Sequence, residues 1–327
     1  MLTLMLETVS IMKIKSIIIL TLVFAGGFSA FSQTDLSDLF KDELETDEVV
    51  EYTFKTTRLI HTHTTKTVDK NELDFRITHR FDDIAGSTGG IETLFGFDNV
   101  SDIRIAFEYG VTDDITAGFG RSKGGYGGGP KQVLDGFVKY KFLKQTKKSM
   151  PLTVTALVLT ELATEKKGAN VEALNSYPKF SHRFAYMAQV LIAHKRSGTL
   201  SFMLMPTYIH RNFVNFGDEN NNFAMGAGGR VKLTKRMAII VDYYHFFSKY
   251  RSDLKADKQS DVDYFNPLGI GLEIETGGHV FHLNFSNSAG IIETQYIPYT
   301  TKNWLDGGFR FGFNISRVFG LGDGGGH

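Results

Sequence analysis

The stretch Phe309–Phe319 reads F-R-F-G-F-N-I-S-R-V-F and separates two kinds of side chain. From Phe309 to Ile315 every second residue is phenylalanine or isoleucine, and the residues between them are arginine, glycine and asparagine. A β-strand points successive side chains to opposite sides, so this segment predicts a strand with one apolar and one polar face. The apolar face suits either the core of a soluble sandwich or the lipid around a membrane barrel.

The same alternation recurs in twelve segments, which begin with Leu73–Phe81 and end with Phe309–Phe319. Their connections alternate between long ones, such as Glu161–His182, and short ones, such as Thr234–Arg236. A sandwich has no reason to collect its long loops at one end, whereas an outer-membrane barrel has long extracellular loops and short periplasmic turns. We therefore predict an all-β fold: a closed antiparallel transmembrane β-barrel of about twelve strands over residues 71–319, with both termini periplasmic.

Closure of the barrel has an energetic reason. In lipid, an open strand edge leaves backbone groups without hydrogen-bond partners, so the strands must pair all the way round. The last strand, Phe309–Phe319, is therefore expected to pair with the first, Leu73–Phe81. Fourteen strands remain an alternative, because Tyr52–Val68 also reads as an extended segment.

The N-terminus carries an export signal. The apolar run Ile14–Phe31 follows Lys13 and ends in small residues, which is typical of a secretory signal peptide over residues 1–32. Met12 is then an alternative start and Gln33 the first mature residue. An N-terminal membrane anchor is the less favoured interpretation, because small residues follow the run.

Residues 33–70 predict a periplasmic extension that is acidic over Asp35–Glu51 and rich in threonine over Tyr52–Val68. The threonine-rich part reads as a lead-in to the barrel or as an extra strand. The short turns are basic, so the acidic part is expected to dock under the barrel or to recruit a basic periplasmic partner. A solvated tail is the alternative. Residues 320–327 form a glycine-rich tail.

Composition excludes several classes of function. The chain of 327 residues has 36 basic and 36 acidic residues, which gives no indication of nucleic-acid binding. It has no cysteine, so disulfides and cysteine-ligated metals are absent. No cofactor is predicted.

Several phrases resemble an uncharacterised family of outer-membrane β-barrel proteins from Bacteroidetes-type bacteria. Among them are LDFRITHRF (73–81), MPTYIHRN (205–212) and GFNISRVF (312–319). The resemblance covers nearly all of the chain from about residue 54. It implies a fold, an outer-membrane location in contact with lipid, and recognition of the C-terminal strand by the barrel-assembly machinery. It implies no activity and no catalytic residues.

The polar faces of the strands predict a charged lumen. Barrels of eight strands are filled by side chains and those of 16 to 18 strands leave an aqueous channel, so twelve strands suit either a narrow wet pore or a lumen closed by ion pairs. The predicted lumen residues are Asp74, Arg76, Arg104, Glu108, Lys139, Lys141, Arg230, Lys232, Asp242, Glu273, Glu275, His282 and Arg310.

Three arginines that follow histidines near the long-loop ends are candidates for an outer-rim site for anions or lipid phosphate: Arg80, Arg183 and Arg211. Ordinary interfacial polarity is the favoured alternative. His61-Thr62-His63 places two imidazoles on one face but lacks a third metal ligand, so no metal site is predicted.

No serine–histidine signature indicates catalysis, and the chain is not expected to be an enzyme. The predicted function is a narrow passive channel for small polar solutes. A non-conducting barrel that anchors an assembly is the first alternative, and a lipid-binding or lipid-modifying protein is the second.

Overall fold

The computed structural model describes residues 47–86, 88–124, 129–170, 173–256 and 262–321. The predicted signal peptide (1–32), residues 33–46 and all but the first two residues of the tail lie outside the described residues, so the signal peptide stays a prediction. Two short helices, α1 (Lys249–Ala256) and α2 (Glu293–Tyr299), lie in long loops. The strands are β1 (Glu72–Asp83), β2 (Val100–Thr112), β3 (Ile115–Gly124), β4 (Gln132–Leu143), β5 (Thr153–Ala163), β6 (Phe184–Lys195), β7 (Leu200–Arg211), β8 (Asn221–Lys232), β9 (Met237–Phe247), β10 (Leu268–Thr276), β11 (His279–Ser286) and β12 (Arg310–Gly320).

The strands form one closed antiparallel barrel in which each pairs with its sequence neighbours and β1 pairs with β12. The register of the closing pair joins Leu73 to Phe319 and Arg80 to Gly312, with an irregularity between Arg80 and Asp83. The predicted barrel of twelve strands and its sealing pair are therefore confirmed. Closure leaves no strand edge to face lipid without hydrogen-bond partners.

The side chains alternate between the lumen and the outer wall. In β9 every second residue is buried, from Ala238 through Asp242 to Phe246, while Ile239 and Val241 are exposed on the outer wall. In β12 the polar face containing Arg310 and Asn314 is likewise the buried one. The apolar faces thus point outward, as a lipid-exposed wall requires.

The connections collect by length at the two ends of the barrel. Residues 113–114, 196–199 and 277–278 form turns at one end, whereas the loops at the other include 84–99, 164–183 and 287–309. The predicted alternation of long and short connections is confirmed. Among the described residues, no helix is long and apolar enough to cross a membrane.

The interior is filled by two segments, and one of them corrects the sequence interpretation. Residues 53–68, here called the plug, are almost all buried inside the barrel and form neither a periplasmic lead-in nor an extra barrel strand. Residues 287–300, here called the inner loop, enter from the long-loop end, are entirely buried and contain α2. A threonine-rich alternating stretch has the pattern of a wall strand, so its periodicity cannot distinguish the wall from the lumen.

The plug enters and leaves by the short-turn end. Before it, the Val50 amide donates to the carbonyl oxygen of Gln145 (2.8 Å), and at its end the Val68 amide donates to Thr116 Oγ1 (2.9 Å). Its tip is a tight hairpin in which Arg58 bridges to His63. This hairpin carries residues 59–62 to the middle of the lumen.

Candidate functional site

The lumen has two unlike sides. One is charged and polar, and most of its inward side chains come from β10–β12 and β1–β3. The other is apolar and spans the middle of β4–β9, with inward side chains that include Val133, Phe137, Leu157, Leu159, Met187, Leu191, Met203, Met205, Ile209 and Ile240.

The plug matches this division. Its apolar residues Phe54, Leu59 and Ile60 are 1–2% exposed and belong to the same hydrophobic cluster as the apolar wall. Burying a side chain of this size contributes about 1.5–3 kcal/mol. The three together therefore contribute several kcal/mol to holding the plug in place.

Two wall glycines make room for the tip of the plug. A Cβ added at Gly228 would lie 2.8 Å from Leu59 Cδ1, and one added at Gly269 would lie 2.7 Å from His61 Cε1. Real Cβ atoms do not approach other atoms so closely, so a larger residue at either position would displace the tip. The sequence analysis did not single out these inward glycines as contacts of the plug.

The predicted lumen residues lie on the inner face, where they contact the plug and one another and do not line an open pore. Lys139 donates to the carbonyl oxygen of Thr64 (3.3 Å), and His282 Nδ1 lies 3.1 Å from the carbonyl oxygen of Leu59. The deeply buried members are Asp74, Arg76, Arg104, Glu108, Lys139, Asp242, Glu273, His282 and Arg310. The less buried members, near the short-turn mouth, are Lys141, Arg230, Lys232 and Glu275.

Ion pairs among these groups reduce the cost of burying charge. Arg104 forms a two-pronged pair with Asp135, at 2.9 and 2.5 Å, and Arg230 donates to Glu273 (2.7 Å). At the mouth, Lys55 of the plug pairs with Glu275 (2.8 Å). An unpaired buried charge costs several kcal/mol. These pairs therefore stabilise the charged side chains in a lumen from which the plug and the inner loop exclude water.

Arg58 connects the plug to the wall and to the inner loop. Its guanidinium donates to His63 Nε2 (2.6 Å) and to the carbonyl oxygen of His61 (3.2 Å), which holds the hairpin together. The same group lies 3.5 Å from Glu108 of β2 and 3.5 Å from Glu293 of α2. One buried cation therefore contacts the plug, the barrel wall and the inner loop.

Asp242 holds the tip of the hairpin. It accepts hydrogen bonds from the backbone amides of His61 (2.8 Å) and Thr62 (3.3 Å), and its second oxygen lies 2.7 Å from His61 Nδ1. His61 Nε2 lies 2.7 Å from Ser286 Oγ, which also accepts the amide hydrogen of Ser288 (2.9 Å).

Ser286, His61 and Asp242 thus have the connectivity of a serine hydrolase triad. They are at most 2% exposed, so the hydroxyl faces packed protein and not solvent. We therefore interpret the arrangement as a clamp on the plug.

Asp242→Asn tests the clamp. The asparagine side chain lacks the negative charge of the carboxylate that accepts three hydrogen bonds from the tip. Each hydrogen bond to a charged group contributes about 1.5–3 kcal/mol. We expect hydrogen exchange at the His61 and Thr62 amides to accelerate by at least about tenfold, while the amides of β12 exchange as in the wild type. Equal protection of the tip in both proteins would show that Asp242 does not hold it.

Arg80 corrects the predicted rim site. It is fully buried in the lumen, where it donates to the carbonyl oxygen of Ile60 (2.9 Å) and to Asn314 Oδ1 (3.0 Å). Adjacent residues of a strand point to opposite faces, so a His-Arg pair cannot place both side chains on the outer wall. It is His79 that faces outward, stacked on Phe313.

The other two rim candidates lie together, and each already donates to protein oxygens. Arg183 and Arg211 line one small cavity at the long-loop end. Arg183 donates to the carbonyl oxygens of Ala163 (2.9 Å) and Glu165 (2.8 Å), and Arg211 donates to Asp218 (3.0 Å). The three arginines therefore share no common anion site.

The described end of the acidic extension lies against the basic turns. The Lys147 amide donates to the carbonyl oxygen of Glu48 (3.0 Å), and their side chains pair. Lys147 lowers the pKa of the Glu48 carboxyl. Lys195 donates to the carbonyl oxygen of Glu51 (2.9 Å). Docking of the residues before 47 stays a prediction.

The two histidines of the His-Thr-His stretch serve different partners. His61 contacts Asp242, whereas His63 accepts from Arg58 and packs against Phe137. Within the described ranges, no group of histidine, aspartate and glutamate side chains could hold a metal ion.

Comparison with known proteins agrees with this architecture. Residues 54–319 match the family described as "Membrane bound beta barrel domain (DUF5777)". The chain belongs to this family. No curated protein matches the sequence.

The fold is similar to solved outer-membrane barrels. They include a KdgM porin (7% identity, TM-score 0.43), Omp33 of Acinetobacter baumannii (10%, 0.37) and LpxR from Salmonella typhimurium (10%, 0.34). Each alignment covers 76% of this chain and 99% of the other chain. At such identities the likeness concerns the fold alone.

Proposed function

We propose that this protein is a gated passage for small polar solutes, closed at rest by the plug and opened when the plug withdraws through the short-turn mouth. The observation that carries the proposal is how the plug is attached. Both its ends lie at the short-turn end, and in the described chain no barrel strand pairs with it. Side-chain contacts hold it, so it can leave without breaking the barrel.

The charged side of the lumen sets the class of solute. With the plug withdrawn, Arg76, Arg104, Glu108 and Glu273 would face water together. Both signs of charge are present, which favours small polar solutes over ions of one sign. The side chains of the apolar side offer few hydrogen-bonding groups, so such solutes would bind mainly to the charged side.

We further propose an outer-membrane location, with the short turns and both termini in the periplasm. The alternation of long and short connections supports this orientation. β12 is the natural strand for the barrel-assembly machinery to recognise, since it seals the barrel. A periplasmic partner of the acidic extension would then reach the plug directly.

A second candidate is a non-conducting barrel that anchors an assembly. The inner loop favours it, because residues 287–300 also fill the lumen and are entirely buried. Neither candidate is an enzyme, and the clamp geometry around Ser286 leaves that side chain buried. A lipid-modifying role has no support from Arg80, Arg183 and Arg211.

Planar-bilayer conductance separates the two candidates. A gated passage predicts that the intact chain stays closed for most of a recording and that a chain without the plug conducts steadily. A barrel that stays closed in both forms would favour the anchoring role.

A further inference from the structure

The outer wall carries a belt of aromatic rings at its long-loop end. Outer-membrane barrels carry girdles of aromatic residues where the wall meets the membrane interface. Neighbouring rings touch, as Tyr208 and Phe223 do at 5.3 Å between centroids. The belt includes Phe81, Phe184, Tyr208, Phe223, Phe247, Phe285, Phe309 and Phe311.

The belt is interrupted between β2 and β6. At the corresponding height β3 presents the exposed cations Arg121 and Lys123, which pair in register with Leu134 and Gln132 of β4. The next strand contributes Leu162, and rings resume at Phe184.

Further lysines adjoin this gap. Lys131 donates its amide hydrogen to Glu165 (3.0 Å), which brings the exposed Lys166 and Lys167 near β3. Glu165 also accepts from Tyr177 (2.7 Å). Arg121 donates to Thr164 Oγ1 (3.2 Å) and Gln132 Oε1 (3.4 Å), which are neutral acceptors, and in the described parts of the chain no ion pair involves Arg121 or these lysines. The patch therefore has a surplus of positive charge.

An apolar groove of about 590 Å³ lies on the outer wall beside this patch. Its floor consists of small outward residues, Gly136, Thr160 and Ala188, and Val158 and Tyr186 stand beside them. Gly136 follows Leu134 by two residues, so the groove starts roughly 7 Å from the row of Arg121 toward the short-turn end.

We propose that this surface binds one phosphorylated lipid of the long-loop leaflet. Its phosphate is held by Arg121 and Lys123, and an acyl chain lies in the groove over Gly136. Charge complementarity selects the headgroup, since arginine forms charge-assisted pairs with phosphate. Continuity between the groove and the cationic gap selects a lipid over free phosphate. These residues differ from the arginines at 80, 183 and 211.

Native mass spectrometry of the full chain in mild detergent tests the proposal. The probes are phosphatidic acid, phosphatidylcholine with the same acyl chains, and inorganic phosphate. We expect one phosphatidic acid per barrel. Arg121→Gln with Lys123→Gln should weaken its binding by at least about tenfold and leave phosphatidylcholine unchanged.

Gly136→Leu fills the groove and should weaken binding of both lipids. A Cβ there meets nothing nearer than 3.9 Å, so the barrel tolerates it. Gly229→Leu, at another outward glycine, is the matched control and should bind as the wild type does. Folding of each variant is checked by heat-modifiable gel mobility. The proposal is overturned if the double variant binds phosphatidic acid normally, if Gly136→Leu has no effect, or if inorganic phosphate binds as tightly as the lipid.

Discussion

Deleting the plug, residues 53–68, is expected to turn a closed barrel into one that conducts ions continuously in a planar bilayer. The physical reason is that the deletion removes the segment that buries the charged side of the lumen. Arg76, Arg104 and Glu108 then face water, and barrels become water-filled as their interiors lose packed side chains. We expect the mean conductance to rise by on the order of tenfold or more, because removing the plug opens part of the lumen to water and ions.

The control for this deletion is a chain shortened only before residue 47, which keeps the plug and should stay closed. Both proteins must first show the heat-modifiable mobility of a folded barrel. If the folded deletion variant remains as closed as the intact protein, the inner loop alone blocks the lumen. The anchoring role would then replace the gated passage.

Replacing Arg58 by methionine is expected to have the other large effect on opening. The substitution keeps much of the side chain's length but leaves Glu108 and Glu293 without the buried cation that contacts both. Breaking a buried ion pair by removing one partner costs about 3–5 kcal/mol. If that cost falls on the seated state, the open population rises by roughly two to four orders of magnitude.

Open probability in single-channel records measures this effect. Arg236→Met provides the matched control, because Arg236 is exposed on a short turn and the same substitution there should change nothing. Arg58→Lys should lie between the two, since lysine restores the charge without the planar fork that reaches several acceptors. If the Arg58→Met variant opens no more often than the wild type, Arg58 does not hold the plug in the lumen.

The barrel itself could be predicted from the sequence because its determinants are local. Alternation within β12 fixes which residues face out, and the lengths of consecutive connections fix which end carries the loops. The pairing of β1 with β12 then follows from the need to close the sheet in lipid. Apart from the pairing of β1 with β12, none of these inferences requires knowledge of contacts between residues distant in the sequence.

The occupied lumen could not be predicted in the same way. His61 contacts Asp242 and Ser286 across separations of 181 and 225 residues, and no spacing in the sequence encodes those distances. One signal was present: β5 is apolar on both faces around Leu157 and Leu159. A wall strand that is apolar inward needs an apolar partner inside the barrel, and Leu59 and Ile60 supply it.

The rim arginines show the limit of reasoning from position along a strand. Arg80 lies near the long-loop end of β1, yet it belongs to the same face as Arg76 and Asp74. Whether a side chain faces the lumen or the outer wall is therefore decided by its odd or even position along the strand (its parity), and not by its distance from a loop. The same parity places Arg121 and Lys123 outward, where they interrupt the aromatic belt.

The accessibility of position 60 tests most directly whether the plug sits in the lumen. The natural chain has no cysteine, so Ile60→Cys introduces the only thiol, at a site that is 2% exposed. Tyr52→Cys, at a site that is 55% exposed beside the mouth, is the control. With a membrane-impermeant maleimide added to the folded barrel, we predict rapid labelling at position 52 and almost none at position 60. Equally rapid labelling at both positions would contradict the seated plug.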